Sequence, residues 1–219
     1  MKGWPLALGV AALLLAAAAR AQDCGTLTNP YGPYDYRTSG DKLAVVEAFH
    51  FTPDVEYLRR GAQGALGADL DYTLRAAPNH HRALMAITNL SLRDRKPQPE
   101  GAKFTVECYF ERAEQFAADD GTVRMIHGIY LSRIGKKADA LDRFKEAESL
   151  AADSPTLHYN LGLAYFDVKQ YDEALSHAQQ AYALGVTLPG LRNKLKAAGR
   201  WREPDPATAA AGKDAPPVR

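Results

Sequence analysis

Along most of the chain, apolar residues recur at intervals of three and four positions, which places them on one side of an α-helix. Leu66, Leu70 and Leu74 form one such stripe. Residues 157–185 contain two stretches with this spacing around a short polar turn. The pattern predicts an all-α fold built from helical hairpins.

Small residues repeat at a longer interval, because Gly162 lies 34 positions after Gly128. The same interval relates Ala140 to Ala174, Ala113 to Ala147 and Ala181, and Phe110 to Phe144, with Ala178 in the third copy. Two helices of a hairpin approach closely only where side chains are small. We therefore expect Gly128 to face Ala140 and Gly162 to face Ala174, with Phe144 and Tyr165 filling the wider gaps between hairpins.

These residues resemble the tetratricopeptide repeat. The L-G-x-x-Y part of its pattern is matched at Leu161, Gly162 and Tyr165, and the A-x3-F-x2-A part is matched at Ala140, Phe144 and Ala147. The resemblance implies an α–α superhelix over residues 52–202, with about three repeats and one degenerate repeat at the N-terminal side. His127 and His158 depart from the pattern, and we interpret both as variants at repeat interfaces.

The first full repeat is longer than the others. Thr88 takes the place of the glycine, and it precedes Gly128 by 40 positions. The surplus falls in residues 94–101, where two prolines and a glycine exclude a continuous helix, so we expect an enlarged turn. We also expect a short helix from Pro53 to about Arg60, and a capping helix within residues 189–201 that covers the last hairpin.

The two ends of the chain differ in composition from the repeats. Residues 1–21 combine Lys2, an apolar run and a small-x-small site ending at Ala21, which predicts a cleaved secretory signal and a periplasmic protein. The apolar run would span only about 21 Å as a helix, less than a bilayer requires. An uncleaved amphiphilic N-terminus is the alternative. Residues 22–51 are predicted to be an irregular segment, and the Ala- and Pro-rich residues 203–219 a disordered tail.

Charge and cysteine content narrow the function classes. Without Lys2 and Arg20, 25 of the 27 basic residues remain against 26 acidic ones, which argues against nucleic acid as a partner. Cys24 and Cys108 are the only cysteines, and in an exported protein they most simply form one disulfide bond. A redox-active pair is the alternative, although the spacing differs from C-x-x-C.

The resemblance also suggests where a partner would bind, because the first helix of each repeat lines the concave surface in this family. The groove-facing candidates are Met85, Asn89, Met125, Ile129, Tyr159 and Leu163. Chaperone-binding members of the family grip a carboxylate with Lys, Asn and Arg at these places, and that clamp is absent here. We expect a partner held by apolar anchors on an extended or helical segment. Each candidate could instead pack against an adjacent helix.

The residues before the repeats offer a second element of interest. Tyr31, Tyr34 and Tyr36 lie among prolines and glycine, which excludes a helix but provides apolar area. A bond between Cys24 and Cys108 would tether this segment to the repeats. We therefore predict that it packs over them as a lid or cap.

The sequence gives little support for catalysis. His80 and His81 are adjacent and would point about 100° apart on a helix, so we expect no metal site from them and no cofactor. His50 near Asp54 is too common an arrangement to indicate a nucleophile system. G-x-S-x-G, H-E-x-x-H and phosphate-loop motifs are absent from the sequence.

The sequence thus favours a periplasmic, non-catalytic repeat scaffold that binds a protein or peptide, in assembly of an envelope or secretion complex. An envelope enzyme or small-ligand binder, with the N-terminal segment as its lid and His50 or His158 in a pocket, is the alternative. Self-association through the same surface is a third hypothesis.

Overall fold

The computed structural model describes residues 24–151 and 154–203. The predicted signal peptide and almost all of the predicted tail lie outside the described residues. Within the described parts of the chain, all regular structure is helical: α1 Gly40–His50, α2 Pro53–Glu56, α3 Leu66–Ala76, α4 His81–Asp94, α5 Val106–Phe116, α6 Gly121–Arg133, α7 Lys137–Leu150, α8 Pro155–Asp167, α9 Tyr171–Ala183 and α10 Gly190–Ala197. The predicted all-α superhelical class is confirmed.

The helices pair into the predicted hairpins. α4 and α5 form the first hairpin, α6 and α7 the second, and α8 and α9 the third, and each packs against the next. α2 contacts both α3 and α4, so α2 and α3 occupy the position of the degenerate repeat. The first hairpin contains the expected enlarged turn, residues 95–105, whereas residues 134–136 suffice in the second.

Helix starts follow ordinary capping chemistry. The side chains of Thr105, Asp120 and Ser154 accept hydrogen bonds from backbone N–H groups in the first turns of α5, α6 and α8. Each bond satisfies a donor that lacks an intrahelical partner. Pro155 at the first helical position of α8 loses nothing by having no N–H, since that group would be unpaired there.

The small residues meet at helix crossings, with one difference from expectation. A Cβ at Gly162 would lie 3.2 Å from the carbonyl oxygen of Ala174, so α8 and α9 approach closely there as predicted. A Cβ at Gly128 would instead lie 2.7 Å from the ring of Phe144. The space that this glycine leaves is thus filled by an aromatic ring within the same hairpin, and the expectation that Gly128 faces Ala140 stays a prediction. The repeat alanines are all buried: Ala113, Ala140, Ala147, Ala174, Ala178 and Ala181.

Two predictions about the N-terminal part need correction. Residues 22–51 are not irregular throughout, because α1 spans Gly40–His50 and buries Leu43 and Val46 against Ala76 and its neighbours. The helix that begins at Pro53 ends at Glu56 and not near Arg60.

The capping helix is present. Leu191 and Leu195 of α10 are fully buried, and the helix packs against both α8 and α9. The last hairpin therefore has its apolar face covered, as the end of a repeat stack requires.

Candidate protein-binding face

The first helices of the three hairpins lie next to one another and carry the six predicted residues. α4 packs beside α6, and α6 beside α8. Each helix contributes an equivalent pair, four positions apart and hence on the same side of the helix. All six side chains are half-buried: Met85 and Asn89, Met125 and Ile129, Tyr159 and Leu163. We call this surface the first-helix face.

The apolar members of the first-helix face pack partly against the core. Met85, Met125, Ile129, Tyr159 and Leu163 all lie against the main buried cluster while keeping part of their surface in water. Each of these side chains thus contributes to helix packing and also presents apolar area to solvent. Methionine adapts its shape to varied partners, which suits a binding surface.

Asn89 is engaged within the chain. Its side-chain oxygen accepts a hydrogen bond of 2.6 Å from Nη1 of Arg133, on the next first helix. Arg133 is exposed, so a cation lies at this point of the face. A ligand carboxylate or carbonyl approaching Asn89 would therefore meet a guanidinium group beside the amide.

The C-terminal end of the face is bounded by α10. A Cβ at Gly190, the first residue of α10, would lie 2.8 Å from the hydroxyl oxygen of Tyr159. Glycine at this position lets the capping helix start directly against the tyrosine. Tyr159 is thus the last side chain of the face before the cap.

Residues 24–39, which we call the strap, pack on the repeats as the lid hypothesis predicted. Cys24 is bonded to Cys108 of α5, and Nη1 of Arg112 donates to the carbonyl oxygens of Cys24 and Thr26 at 2.9 and 2.7 Å. The N–H of Tyr34 donates to the carbonyl oxygen of Ala76 at 2.8 Å. The strap is therefore joined to α3 and α5 by covalent and hydrogen bonds.

The strap crosses the turns that precede α4 and α6. The N–H of Tyr36 donates to Oδ1 of Asn79 at 3.0 Å, and the ring of Tyr36 lies 4.2 Å from that of His80. Arg37 donates to Asp119 and lies 3.7 Å from a carboxylate oxygen of Asp120. These contacts lie at the N-terminal ends of the first helices, beside the first-helix face.

Asp120 is the centre of a buried polar cluster at this crossing. It caps α6, receives a hydrogen bond from Asn79 at 3.0 Å, and lies 2.8 Å from Nε2 of His81. Burial alone would raise the pKa of Asp120, but its hydrogen bonds to His81 and Asn79 lower it. Asp120 is thus held as a carboxylate that joins the two turns.

Sequence reasoning did not identify this cluster, although a signal was present. Two alanines followed by a proline or acidic residue recur before each first helix, at residues 76–79, 117–120 and 151–154. The recurrence marks the turns between hairpins, where a polar residue is needed as a cap. It does not reveal that residues 35–37 reach across two of these turns.

The structure brings together only part of the alternative hypothesis, since His50 shares a cavity with Tyr31 of the strap whereas His158 lies elsewhere. Nδ1 of His50 lies 2.9 Å from Oδ1 of Asp69, and the ring stacks on Tyr72 with 3.9 Å between centroids. Asp54 pairs with Arg60 instead of His50. A cavity of about 230 Å³ beside His50 is lined by Tyr31, Val45, Val46, Phe49, His50 and Tyr72. His158 lies on α8, away from this cavity.

Two groups of potential metal ligands occur among the described residues. In the first, Cys24 and Cys108 are joined in the disulfide bond, which leaves no thiolate to accompany Glu111. The second consists of Glu148, His158 and His177. In the described ranges, no helix is long and apolar enough to cross a membrane.

Comparison with known proteins gives one family match. Residues 155–185, which contain α8 and α9, match the family model described as a tetratricopeptide repeat. Among solved structures, the chain is similar to a point mutant of MamA, with 19% identity over 66% of this chain and 95% of that chain and a TM-score of 0.39. No curated protein matches this sequence.

Proposed function

We propose that the chain, whose residues 155–185 match the tetratricopeptide repeat, is an exported, non-catalytic scaffold that binds a protein or peptide through its first-helix face. One observation carries the proposal. Three consecutive first helices present Met85, Met125 and Tyr159 at equivalent positions, each half-exposed and supported by the core. This arrangement offers a row of apolar anchors to an extended or helical segment.

The partner chemistry follows from what surrounds the anchors. Apolar side chains from the ligand would fill the spaces between Met85, Met125 and Tyr159. Arg133, held by Asn89, adds one positive charge and suits an acidic residue or a backbone carbonyl of the ligand. Binding of this kind depends on complementarity of shape and charge and requires no bond to be made or broken.

The cellular site belongs to the same proposal. A secretory signal at residues 1–21 would deliver the protein to the periplasm, where disulfide bonds form and persist. The bond between Cys24 and Cys108 supports an oxidising compartment. We place the protein's role in assembling or localising an envelope or secretion complex.

The binding proposal is tested by crosslinking and pull-down of the full chain from cells that make it. The Met125→Asp, Tyr159→Ala double variant removes two anchors, and Leu184→Asp, at an exposed leucine just after α9, is the matched control. We expect the control to recover the same partners as the unchanged protein. The double variant should bind at least roughly 30-fold more weakly, since loss of an aromatic anchor that carries much of the binding energy costs about 2 kcal/mol or more.

Circular dichroism must show equal helix content in all three proteins. Recovery of identical partners by the double variant would contradict binding through the first-helix face. Export is tested separately by joining the chain to a reporter enzyme that is active only outside the cytoplasm. An inactive reporter would contradict the periplasmic location and leave the binding proposal intact.

A further inference from the structure

Three potential metal ligands from three helices converge at the boundary between the second and third hairpins. Nδ1 of His158 on α8 lies 3.2 Å from Nδ1 of His177 on α9. Oε1 of Glu148 on α7 lies 3.8 Å from the first nitrogen and 3.7 Å from the second. The three atoms form a nearly equilateral triangle.

The size of this triangle matches a coordination sphere. The circle through three points separated by 3.2, 3.7 and 3.8 Å has a radius of about 2.1 Å, so one position lies about 2.1 Å from all three atoms. Bonds from Zn²⁺ to imidazole nitrogen and to carboxylate oxygen are also about 2.0–2.2 Å long. An ion near the centre of this triangle would thus lie at bonding distance from all three atoms.

The surroundings suit a divalent cation. The side chains of His158 and His177 are 5% and 12% exposed, while that of Glu148 is 32% exposed and gives access from solvent. The two Nδ1 atoms are within hydrogen-bond distance of each other, and a bound ion would replace that contact. In the coordinating forms, two imidazoles and one carboxylate would carry a single negative charge that the ion would compensate.

Other charged groups lie close by. The carboxylate of Glu173, one turn before His177 on α9, interacts electrostatically with His177. The ring of Tyr165 stacks on His177, and Nζ of Lys145 lies 5.7 Å from the centroid of Tyr165. The amine of Lys145 thus contacts the ring that stacks on His177, while a carboxylate oxygen of Glu148 lies 3.7 Å from His177 itself.

His127, which lies near two carboxylates, shows by contrast what distinguishes the group formed by Glu148, His158 and His177. Glu114 lies 2.7 Å from Nδ1 of His127, and Glu107 lies 3.3 Å from Nε2. Because the two carboxylates approach different nitrogens of one ring, no single ion could bind all three groups. At His158 and His177 the two Nδ1 atoms lie 3.2 Å apart, and both lie within 3.8 Å of the same oxygen of Glu148.

We propose that Glu148, His158 and His177 bind one divalent transition-metal ion, with Zn²⁺ the best match, and that a fourth position of the ion is open to water or another ligand. The ion would join α7, α8 and α9 and so fix the third hairpin against the second. The proposal is independent of what the first-helix face binds. It also differs from the sequence-based expectation of no metal site, which rested on adjacent histidines and the cysteines.

The test uses the full chain, purified without a polyhistidine tag and treated with a chelator. Zinc chloride is titrated in a calorimeter, and cobalt chloride is added in parallel because four-coordinate Co²⁺ absorbs strongly in the visible range. We expect one ion per chain, a visible Co²⁺ band, and a rise of several degrees in the unfolding temperature that EDTA reverses.

Variants separate coordination from a structural role. Glu148→Gln changes one half-exposed ligand and preserves the shape of the side chain. This variant and the separate variants His158→Gln and His177→Gln should each bind Zn²⁺ at least tenfold more weakly. His50→Gln, a partly buried histidine that bonds one carboxylate elsewhere, is the control and should bind Zn²⁺ like the unchanged protein. Absence of Zn²⁺ binding, or equal binding by Glu148→Gln and the control, would overturn the proposal.

Discussion

At the scale of single residues, Gly128 shows how one missing side chain sets the geometry of a hairpin. A Cβ at this position would lie 2.7–3.0 Å from three atoms of the Phe144 ring, and Phe144 is itself 2% exposed. The ring has no free space to move into, because protein cores are close-packed. The close approach of α6 and α7 therefore requires glycine at residue 128.

We predict that Gly128→Ala lowers the free energy of unfolding by about 1–3 kcal/mol, since overpacking outweighs the gain of about 1 kcal/mol in helix propensity. Urea denaturation measures the change. Gly40→Ala is the control, because a Cβ there meets nothing within 4 Å, and it should leave stability equal or slightly higher. Equal stability of the two variants would contradict the role of Gly128.

Two buried histidines should make opposite contributions to the pH dependence of stability. Burial alone would lower the pKa of His127, but hydrogen bonds to Glu107 and Glu114 raise it. Burial, together with the charge of Arg82, lowers the pKa of His80 to about 3. Neutral His80 accepts a hydrogen bond from the N–H of Ala83 at Nδ1, so its Nε2–H donates to Glu47.

For His127 the folded pKa exceeds the unfolded one, so its stabilisation is full below about pH 6.5 and is lost as the pH rises through the folded pKa. We predict that His127→Gln is most destabilising between about pH 5 and 6.5 and less so at pH 8.5. Below about pH 4.5 the difference should also shrink, because the lowered pKa values of Glu107 and Glu114 are then approached.

For His80 the sign is reversed. The unfolded chain binds a proton near pH 6.5, whereas the folded chain does so only near pH 3, so the unchanged protein loses stability as the pH falls between these values. His80→Gln should remove this loss. Between pH 7 and about pH 4 the free energy of unfolding should therefore fall less in the variant than in the unchanged protein. Urea denaturation across pH measures both variants, and equal pH slopes would contradict the assignment.

At the scale of helices, the cap α10 shows how a repeat stack is ended. Leu191 and Leu195 are fully buried against α8 and α9, and Leu191 fills the space beside Gly162. We predict that Leu191→Ala lowers the free energy of unfolding by about 2–5 kcal/mol through lost burial and a cavity. Leu188→Ala, at a side chain that is 58% exposed, should change it by less than about 0.5 kcal/mol.

The helices that were predicted correctly are those whose pattern is repeated. The interval of 34 positions identified α6 to α9, and two prolines in residues 95–105 identified the enlarged turn. α1 was missed because its buried Leu43 and Val46 adjoin the exposed Val45 and Phe49, which leaves no clear apolar stripe. The early end of α2 was missed because the left-handed backbone at Leu58, with φ of 56°, has no signature in its residue type.

The two candidate sites differ in how much of each could be predicted from the sequence. The positions of Met85, Met125 and Tyr159 follow from repeat register, so they could be predicted. The convergence of Glu148, His158 and His177 could not, because their spacings of 10 and 19 residues match no helical or metal-binding pattern. It depends on how the third hairpin is oriented on the second, which is set by packing.

At the scale of the whole molecule, two kinds of connection hold the chain together. Each hairpin packs on the next, so the contacts within the stretch from α4 to α9 join helices that are close in sequence. The strap adds connections between residues that are far apart in the sequence. The disulfide joins residues 84 positions apart, and Arg37 donates a hydrogen bond to Asp119. Stability in repeat arrays is the sum of local units and interfaces, so a long-range bond affects mainly the units that it joins.

We therefore predict a localised response to loss of the disulfide. Closing a loop of this length stabilises a fold by up to about 4.5 kcal/mol in the chain-entropy model. In the Cys24→Ser, Cys108→Ser variant, amide hydrogen exchange should become faster in the strap and α1, while α8 and α9 keep their protection. The ion pairs of Arg37 with Asp119 and Asp120 remain possible in this variant. Because salt screens such pairs, amide exchange in the strap should be slower at low salt than at high salt. Equal acceleration along α1 to α9 would show instead that the chain unfolds as one unit and that the strap is part of a single cooperative core.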